Sequence, residues 1–209
     1  MVQAQGSKRM IGVVLSTLVL AAAIVGYYVL MFSGNPSRDA FVSNDLANSA
    51  HNAEIEKALQ VDEHGLSRAT VVIQTTRGKI KYKFYTNDAP KTVHRMVELI
   101  QKGFYNGLTF HRVIPGFVAQ GGDPTGTGMG GSGVKLPAEF NSRHHVPGTV
   151  SMARAQDPNS ADSQFFIMLG THPYLDGHYT VFGQLIEGQD VANQLQVGDR
   201  MTSVTLELK

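Results

Sequence analysis

The segment Phe110–Pro124, FHRVIPGFVAQGGDP, sets an arginine among apolar and aromatic residues, turns the chain at Pro115 and closes on paired glycines. A guanidinium stays charged and presents a planar fork of N–H donors, so Arg112 can stabilise electron density without surrendering a proton. Two roles are open to it. Facing a pocket walled by the apolar side chains of this segment, it is a fixed donor; turned into the fold, it is half of a structural ion pair. Two later stretches, GTVSMARAQDPNSADSQFFIMLG (148–170) and YLDGHYTVFG (174–183), follow it at a distance.

Other chemistries have weaker anchors. The chain has no cysteine, which excludes disulfides, zinc–cysteine sites and thiol catalysis. It has no G-x-S-x-G elbow to carry a hydrolase nucleophile. GTGMGG, 126–131, matches the dinucleotide pattern G-x-G-x-x-G in its letters alone. It runs into SGVKLPAEF, where no helix pattern begins to receive a pyrophosphate, and reads as a flexible surface loop. His111, His144 and His145 lack the H-E-x-x-H pairing of a metal site. Neighbouring histidines on an extended chain also point to opposite sides, so exposed or locally hydrogen-bonded rings are expected. Neither metal nor cofactor is expected. A net charge of +1 leaves no basic face for nucleic acid.

The elements around these residues fall into distinct blocks. After a short polar start, 1–10, the run IGVVLSTLVLAAAIVGYYVLMF (11–32) contains no charge. Its roughly 22 residues, at about 1.5 Å each, match a hydrocarbon core of about 30 Å. It exceeds the apolar region of about 7–15 residues in a signal peptide, and no A-x-A cleavage site follows. It therefore reads as an uncleaved transmembrane signal anchor held in the lipid bilayer. Lys8 and Arg9 outnumber Arg38 across the span. The positive-inside rule then keeps the N-terminus cytoplasmic and sends the C-terminal bulk across. Residues 33–67 form a polar connector of partly helical character, read as a tether.

From 68 to 209 the texture is that of a β domain. ATVVIQTTRGKIKYKFY (69–85) reads as two strands joined at Arg77–Gly78. DAPKTVHRMVELIQKGFY (88–105) reads as a helix, with Asp88 as cap candidate and Val93, Met96, Val97 and Ile100 on one face. Short strands are expected at 109–113, 117–121, 149–152, 164–168 and 180–185. A second helix follows near 189–195 and a closing strand near 204–208. Many short strands with two helices suggest a closed barrel or a sandwich.

The three quoted motifs, in this order, resemble those of cyclophilin-type peptidyl-prolyl cis–trans isomerases, and the resemblance covers about 69–209. It implies a mainly β fold, a closed eight-stranded antiparallel barrel capped by two helices, here preceded by one transmembrane helix. It also implies a monomeric, cofactor-independent enzyme acting on proline-containing polypeptides; the alternative is a tethered proline-peptide-binding chaperone or scaffold with little turnover. By the same resemblance the catalytic arginine is Arg112, with Gln120 beside it. The proline pocket falls on Phe117, Val118, Phe166, Leu175 and Tyr179, and the extended peptide on Met152, Ala153, Arg154, Ala155 and Gln164.

Such an activity suits a site without a nucleophile. Rotation about the prolyl bond faces about 18–20 kcal/mol because the C–N bond is partly double. No covalent bond breaks. The twisted nitrogen regains a lone pair, which a charged donor can stabilise. This chain departs from the family pattern at three places. Tyr174 stands at the groove rim where many members have Trp, Tyr179 where many have His, and Arg154 where Asn is common. The first implies weakened cyclosporin binding, and the others a shifted peptide preference. The bacterial look of VSMARAQDPNSADSQFF (150–166) favours an inner membrane with a periplasmic domain, an endomembrane lumen being the alternative, and a role in folding exported or membrane proteins.

Overall fold

The computed structural model describes residues 65–208. The expected anchor at 11–32 and nearly all of the connector lie outside them. Among the described residues no helix is long and apolar enough to cross a membrane.

One helical turn, α1 (Gly65–Arg68), leads into β1 (Ala69–Thr75), which pairs antiparallel with β2 (Gly78–Phe84) from Thr70↔Lys83 to Thr75↔Gly78. The two-residue connection is pinned by Thr75, whose Oγ1 donates to Gly78 O and accepts from Arg77 N. Helix α2 (Pro90–Gln101) buries Val93, Met96, Val97 and Ile100 as their spacing predicts.

Its cap differs from the expectation. Asp88 does not cap it, and the N-cap residue Ala89 offers no side-chain bond. Glu139 instead accepts from the N–H groups of Lys91 (2.9 Å) and Thr92 (2.8 Å). A carboxylate there satisfies orphan donors and faces the positive end of the helix dipole. Asp88 is taken up by Arg143, at 2.8 Å.

Six further strands complete the sheet: β3 (Arg112–Ile114), β4 (Val118–Gly121), β5 (Thr149–Met152), β6 (Phe165–Met168), β7 (Val181–Glu187) and β8 (Met201–Leu208), with α3 (Gln189–Gln194) between the last two. All eight belong to one sheet, in the order β3-β4-β6-β5-β7-β2-β1-β8, and every ladder is antiparallel. The expected closed barrel is thereby corrected to a curled sheet whose terminal strands share no ladder. The chain ahead of β3 meets the start of β8 at the isolated bridge Thr109↔Arg200, supported by Gly107 N donating to Met201 O (2.7 Å) and Met201 N to Leu108 O (2.9 Å). Because β3 begins only at Arg112, beyond this bridge, the contact does not extend into a strand pair.

The run Phe165–Met168 shows how the sheet makes a site. All four side chains are buried. Successive residues of a strand face opposite ways, so Phe165 and Ile167 enter the main core with Tyr82, Phe110 and Phe182. Phe166 and Met168 face away, and form a smaller cluster with Val118 and Leu175. An apolar run with both faces covered does not alternate in polarity. The smaller cluster is the floor of the site.

Candidate active site

The β3–β4 hairpin sets Arg112 opposite Gln120 as Cα partners, and β4 in turn sets Gln120 opposite Phe166. Directly paired residues share a face, so the register itself brings guanidinium, amide and phenyl ring together. Arg112 Nη1 donates to Gln120 Oε1 at 3.3 Å. Gln120 Nε2 donates to Gln164 Oε1 at 2.9 Å, and Gln164 Nε2 donates to the carbonyls of Gly128 (3.0 Å) and Gly130 (2.8 Å). This relay of amides holds the guanidinium from behind. Arg112 is exposed, its Cζ lies 5.6 Å from the Phe117 ring centroid, and its side-chain partner is an amide rather than a carboxylate. The ion-pair alternative thus has no counterpart among the described residues.

A cavity of about 180 Å³ opens beside it, lined by Arg112, Phe117, Val118, Gln120, Ala153, Arg154, Phe166, Leu175 and Tyr179. The remaining expected site residues do not line it. Met152 is a correction: its side chain is only 1% exposed and packs in the main core, since its place on β5 points inward. Gln164 stands one layer back, behind Gln120. Ala155 is exposed, its N–H taken by Ser160 Oγ at 2.9 Å. Tyr174 is 66% exposed, with its ring 6.4 Å from that of Phe117 and tilted by 32°.

Behind the floor lies a pair that the sequence did not point to. His145 is buried and stacks on Phe166 at 6.0 Å, with the Tyr179 ring edge-on at 6.3 Å. Asp176 binds the Nδ1 atoms of both His144 (2.7 Å) and His145 (2.8 Å), and accepts the His145 N–H. The two rings therefore converge on one carboxylate instead of pointing apart. Residues 143–146 are irregular chain, where the alternation of a strand does not apply. Burial pushes the His145 imidazole below its ordinary pKa, with Asp176 opposing. Burial would raise Asp176, but its bonds to His144 and His145 prevail and hold it at about 2.

The glycine-rich segment is likewise more structured than a flexible surface loop. Asp123 accepts from Thr125 N and Oγ1 and from Gly128 N, while Asp162 accepts from Ser132 and Gly133. Burial would raise the Asp123 carboxyl, yet the Thr125 donors and the glycine N–H groups bring it down to about 2. No helix follows the loop before residue 149, so the geometry of a dinucleotide site is not formed. The loop's carbonyls serve the Gln164 amide instead.

A curled antiparallel sheet carrying a guanidinium beside a cavity on its outer face is the arrangement that the resemblance to cyclophilin-type prolyl isomerases implies. The family model described as cyclophilin type peptidyl-prolyl cis-trans isomerase/CLD matches residues 70–207. A peptidyl-prolyl cis-trans isomerase of Synechococcus elongatus is 50% identical over 137 residues, covering 65% of this chain and 94% of that protein. Peptidyl-prolyl cis-trans isomerase B of Bacillus subtilis is 47% identical over 131 residues, 62% of this chain and 91% of that one. A Cryptosporidium parvum cyclophilin-type isomerase, crystallised in the presence of the dipeptide Ala-Pro, superposes with a TM-score of 0.62 at 31% identity, covering 67% of this chain and 99% of its own. The chain belongs to the cyclophilin-type peptidyl-prolyl cis-trans isomerase family, and it is an enzyme of that class.

Proposed function

We propose that Arg112 is the catalytic donor of this isomerase and that the cavity beside it receives the proline ring. The observation that carries this reading is a guanidinium that spends one N–H on Gln120 and lines a cavity walled also by Phe117, Val118, Phe166 and Leu175. As the C–N bond twists, conjugation is lost and the prolyl nitrogen becomes an acceptor. A pre-positioned charged donor stabilises that state more than the planar ground state. Phe117, Phe166, Leu175 and Val118 grip the ring while the preceding residue rotates. Gln120 and Gln164 orient the fork. A 10⁴-fold acceleration requires only about 5.4 kcal/mol of such differential stabilisation.

We further propose that 11–32 anchors the enzyme as a single-pass protein, with its C-terminal domain on the far side of the membrane. The periplasmic face of a bacterial inner membrane is favoured over an endomembrane lumen, and the clients are exported or membrane polypeptides. The charge-free run and the placement of Lys8 and Arg9 support this reading. One preparation tests both halves. Membranes from cells making the full chain should retain it after alkaline carbonate washing, and should accelerate cis–trans exchange of an Ala-Pro peptide measured by NMR. A soluble mature chain beginning after Phe32 would identify a cleaved signal peptide. Retention without faster exchange would identify a tethered binding module.

The rim supplies a second expected result. Tyr174 lacks the indole N–H and the larger face of a tryptophan. Tyr174→Trp should therefore tighten cyclosporin binding by about 5- to 150-fold, equivalent to roughly 1–3 kcal/mol, while proline-peptide turnover changes far less. Equal inhibitor affinity in the two proteins would dismiss the rim argument.

A further inference from the structure

Arg154 lines the same cavity as Arg112 but is held in a different way. Its Nε donates to His178 O at 3.0 Å, and its Nη1 donates to Ala155 O at 3.0 Å and Gln156 O at 3.1 Å. The Tyr179 ring lies 4.8 Å from its Cζ and the Phe140 ring 5.7 Å. Carbonyls and ring faces orient a guanidinium but do not cancel its charge. Among the described residues Nη2 has no acceptor and no carboxylate lies within ion-pair distance of this side chain. The cavity lining holds two guanidinium groups and no acid. Immobilising a long cation normally costs side-chain entropy, which weakens exposed ion pairs. Here three backbone acceptors have already restricted the side chain, so a ligand carboxylate would meet a preformed partner.

We infer that the groove selects Xaa-Pro segments carrying Asp or Glu next to the proline, with Arg154 as the specificity-determining residue. This rests on the cavity being the proline site. The carboxylate is bound by an N–H of Nη2 in a single charge-assisted hydrogen bond, Nε and Nη1 being occupied by carbonyls. The alternative is a brace: Arg154 would merely tie 155–156 to 178 and treat all peptides alike.

The full-length protein in detergent separates these roles. Binding by chemical-shift titration and exchange by NMR are measured on tetrapeptides with Ala, Glu or Lys before the proline, and on a matching set with these residues after it. In at least one set the wild type should bind and turn over the Glu peptide about three- to fivefold better than the Ala peptide at low salt, with Lys the poorest. The ratio should fall towards one as salt rises to about 0.5 M. Arg154→Gln should bring the ratio down towards one, the remainder being due to Arg112 in the same cavity, and Arg154→Glu should lower it further, towards a preference for Lys. Because each ratio is taken within one protein, a general loss of affinity cancels, and a brace would leave the ratios unmoved. Equal ratios in wild type and Arg154→Gln, in both sets, overturn the inference. A charge preference in binding without accelerated exchange would uphold it and refute the isomerase reading of the cavity.

Discussion

Arg112→Ala is expected to lower kcat/KM for an Ala-Pro peptide by about 100-fold or more, on the order of 3 kcal/mol of transition-state stabilisation. The midpoint of thermal unfolding should barely move. The guanidinium is exposed and, among the described residues, bonds only the Gln120 side chain, so its removal leaves neither a cavity nor a buried unpaired charge. Arg112→Lys should fall between wild type and alanine. It keeps the charge but replaces a planar fork by a mobile point donor that Gln120 cannot orient in the same way. Exchange spectroscopy at saturating and at low peptide would show the loss mainly in kcat, since the donor acts on the twisted nitrogen. Equal losses of stability and activity would instead make Arg112 a structural residue.

Gly122→Ala is expected to cost about 2–5 kcal/mol of stability, and to damage the site through the frame that carries it. Gly122 has φ +86, and a Cβ there would stand 2.4 Å from Ser163 O and 3.1 Å from Gln164 Cα. The neighbours cannot easily withdraw. Ser163 Oγ donates to Gly122 O at 2.7 Å, and the buried Tyr105 hydroxyl donates to Ser163 O at 3.0 Å. A left-handed non-glycine residue costs about 1–2 kcal/mol and overpacking about 1–3 kcal/mol more. Relief would come from spreading the start of β6 from the end of β4, which parts Gln120 from Gln164 and frees the guanidinium. Gly107→Ala is the control. Its φ is +81 but nothing lies within 4 Å of its Cβ, so it should lose only the conformational share. Urea unfolding of both variants decides the matter; equal destabilisation would show that close approach plays no part.

Much of this framework was legible because its causes are local. The hairpin expected at Arg77–Gly78 and found one residue earlier at Thr76–Arg77, the apolar face of α2 and the strand at 149–152 each follow from residues a few positions apart. The cap of α2 was not legible. A carboxylate just before Pro90 satisfied the local pattern, while the actual acceptor, Glu139, arrives from 48 residues away. The missing ladder between β3 and β8 was equally hidden, since it depends on where the two ends of the sheet meet.

The site divides along the same line. Residue types and motif order by themselves determined the class of chemistry: a charged donor that never titrates, apolar side chains able to hold a ring, and a resemblance carried by three motifs. The pairing of Arg112 with Gln120 across one hairpin then put these two on a shared face. Only the tertiary structure decided that Met152 faces the core, that Phe166 faces the groove, and that Gln164 reaches Gln120 across 44 positions to hold it. It also decided that Asp176 gathers both histidines, one of them packed behind the floor, and that Arg154 is held by carbonyls with its charge uncancelled. The physical reason is range. Propensity, periodicity and turn chemistry act over a few residues and leave a pattern in the chain, whereas a contact between distant segments depends on how a whole sheet curls.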